Sequence, residues 1–121
     1  MKHSEAIAAL GALAHEHRLS IFRLLVAQGP EGLPAGVIAE KVGLLPSSLT
    51  FHLQHLTRAG LLSPRRASRQ IFYATDFAAM NSLVAYLSEN CCTAGGSCSA
   101  ECAPATVEPK RAVESRRSGG R

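Results

Sequence analysis

The stretch Ser88 to Cys102 reads SENCCTAGGSCSAEC and holds every cysteine of the 121-residue chain: Cys91, Cys92, Cys98 and Cys102. Two are adjacent, and the residues around them are rich in Gly, Ser and Ala. Clustered thiols have a short menu of chemistry. They can hold a soft thiophilic centre such as trivalent arsenic or antimony, hold zinc, respond to oxidants, or do nothing. Zinc generally takes four ligands, often from C-x₂₋₄-C pairs. Cys98 and Cys102 fit that spacing and leave a four-cysteine zinc site open, but adjacent cysteines are an awkward half of one. As(III) and Sb(III) keep a lone pair and favour three sulfurs in a pyramid. Cys91 and Cys92 also fall where a helix is predicted to end, and the negative end of its dipole disfavours thiolate. No Lys or Arg lies between Arg69 and Lys110 to offset this. That weighs against a low-pKa peroxide sensor and for a soft centre that displaces the thiol protons as it binds.

The rest of the chain is read as what positions this cluster. Its length implies one domain with a modest core. No apolar run reaches the ~18 residues of a membrane helix, and the N-terminus MKHSEAIAALGALAHEH is too broken by His and Glu to be a secretory signal. A cytoplasmic protein is expected, with thiols rather than structural disulfides. The net charge of +4 is uneven. Residues 1–102 carry 8 basic and 7 acidic groups, whereas residues 103–121 carry 5 basic and 2 acidic. A general basic-surface argument for nucleic acid is therefore weak, and local clustering must carry it. No Ser-His-Asp set, paired carboxylates or Gly-rich phosphate loop is present, so no enzyme is indicated. His15 and His17 are read as structural or exposed, His52 as a partly buried hydrogen-bonded ring, and His55 as able to approach a phosphate.

Ser4 is expected to cap a first helix running to about Ala14, along which lie Ile7, Leu10 and Leu13. A second helix, HRLSIFRLLVAQG, has too many apolar groups for one stripe and is expected to be buried on most sides until Gly29-Pro30 stops it. A short third helix presents Val37, Ile38 and Val42 to the core and closes at Gly43. The fourth starts at Pro46, with Ser47 or Ser48 as cap, and sets Leu49, Leu53 and Leu56 on one seam. Its other face carries Ser47, Ser48, Thr50, Phe51, Gln54 and Arg58. LLSPRRASRQIFYAT then reads as a β-hairpin with its tip near Ala67-Ser68-Arg69, crowded by Arg65, Arg66 and Arg69. Asp76 caps a last helix carrying Phe77, Met80, Leu83, Val84 and Leu87, which runs into Asn90-Cys91-Cys92. From about Ala103 the composition is that of a disordered tail.

This order gives a mainly α fold with a small β-hairpin: a winged helix-turn-helix over residues 1–92 and a flexible tail over 93–121. The fourth helix is the one to enter a major groove. Ser and Thr can bond bases or phosphates, Gln can read adenine, and hairpin arginines can hold the phosphate backbone.

The segments HRLSIFRLL, SSLTFHLQHLTRAGLL and RRASRQIFYAT resemble the ArsR/SmtB family of metal- and metalloid-responsive repressors. The resemblance covers roughly residues 5–92. It implies a homodimer built on the first and last helices, operator DNA with two half-sites, and release when ligand binds. Thr50 falls where the family commonly has a DNA-contacting Ser. Two of the family's sensor sites are absent: the third helix has no Cys, and residues 76–89 contain no His. LVAYLSENCCTAGGSC is similar to a subgroup whose arsenic site follows the last helix, which implies ligands Cys91, Cys92 and Cys98, with Cys102 an extra thiol. In the three-sulfur reading the vicinal pair supplies two, and the TAGGS loop, flexible at Gly95 and Gly96, brings the third. The expected effector is As(III), with Sb(III) second. Methylarsenite, another thiophilic metal and oxidants are the rivals. No prosthetic group and no membrane partner are expected.

Overall fold

The computed structural model describes residues 1–95, so Cys98, Cys102 and the basic tail lie outside the described residues. The chain divides into two units, 1–87 and 88–121. The first ends a few residues before the expected boundary at 92.

The first unit opens with α1 (His3–Leu13). It starts earlier than expected, and Ser4 does not cap it. Glu5 reaches back instead, and its Oε1 accepts from the Lys2 backbone N–H at 2.8 Å, which places Ser4 inside the first turn. The inward face of α1 is Ala6, Ala9 and Ala12, all at most 2% exposed. Its larger apolar side chains, Ile7 and Leu10, point outward at 57% and 42% exposure. The small inward residues leave little side-chain bulk between α1 and its neighbours. In α2 (Glu16–Gln28), His15 is the cap, its Nδ1 accepting from the His17 N–H at 3.1 Å. Ile21, Phe22 and Leu25 are buried, and Gly29 ends the helix at φ +95°.

A two-residue strand follows, β1 (Leu33–Pro34), before α3 (Ala35–Val42). Sequence patterning does not predict β1, since two residues carry no period. In α3, Ile38 and Ala39 are buried, while Val37 and Val42 are only half-buried; the expected core face is rotated toward Ala39. Gly43 closes α3 in the left-handed region, and α4 (Pro46–Arg58) begins three residues later with Pro46 in its first turn. Neither Ser47 nor Ser48 caps α4. Pro46 at the helix start already supplies a helical φ and lacks one of the N–H groups that would otherwise be left unsatisfied, and extended Leu45 takes the cap position without a side-chain bond. Leu49, Leu53 and Leu56, at most 1% exposed, form the predicted seam and join Ile21, Leu25, Ile38 and Leu61 in one core.

The wing is the hairpin β2 (Leu62–Ala67) and β3 (Gln70–Thr75), with Ala67 opposite Gln70. Ser68 and Arg69 make the turn at φ 51° and 69°, the pattern of a two-residue type I′ loop that suits the twist of a hairpin. β1 adds to the other edge of β3, giving the order β1-β3-β2, with Leu33 opposite Tyr73 and Pro34 opposite Phe72. Asp76 caps α5 (Phe77–Ser88) as predicted, Oδ1 accepting from the Ala79 N–H at 3.0 Å. Leu83 anchors α5 in the core, with Met80 and Tyr86 packed against it.

Gly32 is the glycine the sheet needs. Its φ is +72°, and a Cβ there would run into the Tyr73 carbonyl. Gly43 has the same φ of +72° but open space around it. Gly32→Ala is expected to destabilise the protein by roughly 2 kcal/mol or more, and Gly43→Ala by about 1 kcal/mol. Urea unfolding of both variants checks the order; equal losses would mean that close approach of β3 plays no part.

Candidate nucleic-acid interface and thiol pair

Burying the leucine seam of α4 leaves its opposite side facing out. Ser47, Ser48, Thr50, Phe51, Gln54 and Arg58 line that side, and all six are exposed. They differ in what they offer. Thr50 Oγ1 donates to the Pro46 carbonyl at 3.0 Å, so its proton is already committed and it can only accept from a ligand. Gln54 carries an amide that both donates and accepts. Phe51 is 59% exposed, and Leu45, just before the helix, 72%. A shallow groove lined by Gln54, Thr57, Arg58, Pro64 and Tyr73 separates the end of α4 from the wing.

The three wing arginines do not act alike. Arg66 and Arg69 are exposed near the hairpin turn. Arg65 is turned back. Its Nη2 donates to the Glu31 carbonyl at 2.9 Å, and its guanidinium lies 4.9 Å from the centroid of Phe72, its cross-strand partner. Arg65 therefore braces the wing against the loop before β1. Only Arg66 and Arg69 have guanidinium groups without such a tie among the described contacts of the wing.

Behind α4 the structure gathers histidines that are distant in sequence. The His52 ring centroid lies 4.7 Å from that of His15 and 5.8 Å from that of His17. Arg18 donates from Nε to the Ala12 carbonyl at 2.6 Å, and its Nη1 lies 3.4 Å from His52 Nδ1. His52 is buried at 8% exposure. Its pKa is lowered from 6.5, chiefly by burial, then by His15, Arg18, His17 and His55. A neutral His52 with Nδ1 as acceptor is the form this setting favours. His55 is half-buried, with Nδ1 buried and unpartnered, and its ring runs nearly parallel to Phe51 at 6.3 Å. Sequence spacing carries no signal for this cluster, because His15 sits in a loop and His52 on a helix far along the chain.

In the second unit, Cys91 and Cys92 bring their Sγ atoms to 3.5 Å of each other, too far apart for a disulfide bond. A chain of turns holds them: Cys91 N–H to Ser88 O, Thr93 N–H to Asn90 O and Gly95 N–H to Cys92 O, each 3.2 Å. Asn90 and Cys92 adopt φ 61° and 64°. Cys91 is exposed and Cys92 half-buried. Among the described residues no three His, Cys, Asp or Glu side chains converge as a metal site; Cys98 and Cys102 lie outside them.

Comparison with known proteins adds an independent line. A helix-turn-helix domain pattern matches residues 13–65. The chain is 36% identical over 91 residues to the nodulation protein NolR of Rhizobium meliloti, spanning 73% of this chain and 72% of that one. The fold matches an ArsR-like transcriptional regulator from Rhodococcus sp. RHA1 with a TM-score of 0.63 and 25% identity, over 70% of this chain and 77% of that one. It also matches the homodimeric winged helix-turn-helix DNA-binding domain of Mb0332 from Mycobacterium bovis, a possible ArsR-family transcriptional regulator. That TM-score is 0.57 at 29% identity, over 71% of this chain and 80% of that one.

The lowered pKa of His52 sets a pH dependence. In the native state His52 takes up its proton below the 6.5 of the unfolded chain. Between those values the unfolded state binds more protons, so stability must fall as the pH drops through 6.5 and level off below the native pKa. Urea midpoints measured from pH 7.5 to 5 should fall for the native chain and fall less for His52→Gln. Parallel curves for the two proteins would exclude His52 as the cause.

Proposed function

Because the chain belongs to the ArsR/SmtB family of winged helix-turn-helix transcription regulators, we propose that it is a homodimeric, cytoplasmic repressor released from operator DNA by trivalent arsenic, with antimony as a second effector. No helix among the described residues is long and apolar enough to cross a membrane.

The dimer has a physical basis in the first unit. Ile7 and Leu10 on α1 and Val84 and Leu87 on α5 are 42–60% exposed. His3 Nδ1 and Tyr86 OH, 2.7 Å apart, tie the same two helices together. A two-fold contact through them buries these side chains and presents two copies of α4 to a palindrome, with half-sites about 34–36 Å apart. In the free repressor, α4 enters the major groove with Ser47, Ser48, Thr50, Phe51 and Gln54 near bases or phosphates. Arg66 and Arg69 hold the backbone, and Arg65 orients the wing behind them.

The adjacent thiols after α5 are the observation that carries the arsenic reading. With metal–sulfur bonds of about 2.3 Å, sulfurs 3.5 Å apart are spanned by one centre at an angle of roughly 100°, as in a trigonal pyramid. Cys91 and Cys92 supply two ligands without rearrangement of their turn, and Cys98 closes the third. The centre ties the segment after α5 to the end of an interface helix. Shifting one subunit against the other then spoils the spacing of the recognition helices. A coupling of ~1–3 kcal/mol changes DNA affinity about 5–150-fold, enough to derepress a promoter.

Fluorescence anisotropy on DNA from upstream of the protein's own gene, titrated with arsenite under reducing conditions, tests this. Arsenite should release the native protein but not Cys91→Ser or Cys98→Ser. Release of Cys98→Ser by arsenite at native concentrations would contradict the three-thiol site. A response to methylarsenite alone would assign the pair Cys91 and Cys92 as the whole site. Indifference to both, with release by peroxide, would replace the metalloid by an oxidant. On the same DNA, Arg66→Ala and Arg69→Ala should each weaken binding and reduce the salt slope by about one. Arg65→Ala should lower stability while leaving the slope nearly unchanged.

A further inference from the structure

Phe51 is a large ring left in water on a helix otherwise well packed. Keeping it 59% exposed forgoes much of the ~1.5–3 kcal/mol that burying such a side chain contributes. The exposed apolar residues of α1 and α5 have a partner in the proposed dimer. Phe51 and Leu45 are on the helix-turn-helix instead, at and just before the helix placed in the major groove.

The ring is also held. The buried His52 meets it edge-on, with centroids 5.6 Å apart at 66°, and His55 lies nearly parallel to it at 6.3 Å. His52 is in turn fixed by its contacts with His15 and Arg18. Phe51 is thus a braced apolar knob that loses little rotamer freedom on contact. Next to it, Thr50 has its proton committed to Pro46, so this neighbour adds no free donor beside the ring.

The major groove offers one apolar group to such a face, the C5-methyl of thymine; every other base edge there is polar. We propose that Phe51 is a specificity-determining residue that selects a thymine in each operator half-site by contact with its methyl group. This rests on the DNA-binding reading of α4 and adds the base that it prefers. Gln54 is on the same face, three residues on, and its amide suits adenine at a neighbouring pair. The two readings together make the base pairs under this face A·T.

The test starts from random DNA, so the operator sequence need not be in hand. Duplexes are selected by the full-length protein from a random pool, and the winner is resynthesised with deoxyuridine replacing thymidine at one position at a time. Deoxyuridine keeps the pairing and removes only the methyl. Anisotropy at fixed salt should show one position per half-site where the change weakens binding about fourfold, the transfer value of one buried methyl group. Phe51→Ala should bind the thymine duplex more weakly and respond at no position, while Phe51→Leu should retain part of the response at the same one. Sensitivity at no position in the native protein, or equal sensitivity in Phe51→Ala, overturns the assignment while the DNA-binding reading stands. A pool that yields no enriched duplex overturns both. Circular dichroism establishes that each variant is folded.

Discussion

The docking of α4 on the core through Leu49, Leu53 and Leu56 is the contact on which the rest depends. These side chains are essentially removed from water and meet Ile21, Leu25, Ile38 and Leu61. Three buried leucines contribute on the order of 5–9 kcal/mol by transfer alone, comparable with the net stability of a domain. Because the seam fixes the rotation of the helix, it also fixes which residues face out. Ser47, Ser48, Phe51 and Gln54 are presented because Leu49, Leu53 and Leu56 cannot be. The candidate DNA face and the stabilising seam thus occupy opposite faces of one element, and substitutions on one face need not disturb the other.

His52 is where the two faces meet. It lies next to Leu53 on the buried side, yet its ring supports Phe51 on the exposed side. Its other neighbours, His15, His17 and Arg18, come from the start of α2. Burial, then the neighbouring His15, Arg18 and His17, lower the pKa of the ring. The outer face of α4 is thereby linked to the α1–α2 connection through ring packing and through Arg18, which reaches both His52 and the Ala12 carbonyl. The wing is fixed at its base, where Leu62 joins the core and Tyr73 packs against it. Gly32 lets β1 approach β3, and Arg65 stacks on Phe72 while bonding to the Glu31 carbonyl. The tip, with Arg66 and Arg69, is the exposed end.

Much of this frame is legible in the sequence, and the parts that are not have local or tertiary causes. The leucine seam, the hairpin tip at Ser68-Arg69 and the Asp76 cap each depend on neighbours within a few residues, so local spacing finds them. Ser4, Ser47 and Ser48 fail as caps because a competing local device wins, Glu5 in one helix and Pro46 in the other. The outward Ile7 and Leu10 are hidden by alanines, which read as neutral helix formers although they face the core. β1, the histidine cluster and the retreat of Arg65 are products of tertiary contact. Glu31 and Arg65 are 34 residues apart, and nothing in either's surroundings announces the other. Of the site residues, the face of α4 and the vicinal thiols are legible. The division of labour among the arginines is not, because it depends on where the wing comes to rest.

In the proposed mechanism little of the switch is prebuilt beyond the thiol pair. Adjacent cysteines are poorly placed for most tetrahedral sites, but a left-handed residue at Cys92 turns their sulfurs to 3.5 Å. In the proposed mechanism two ligands are therefore nearly organised, and the free energy of the third bond is available to order the chain between Cys92 and Cys98. Only five residues lie between them, and loop-closure cost rises slowly with length, so in that mechanism closing the third bond carries a small chain cost. Linkage then constrains the outcome. In the proposed mechanism, whatever factor arsenic removed from DNA affinity, DNA would remove from arsenic affinity. A pair already close to its bound geometry places the effector's differential affinity in the third bond and in the subunit shift. The bond made by Cys98, rather than the tightness of Cys91 and Cys92, is therefore what would set the sensitivity of the switch.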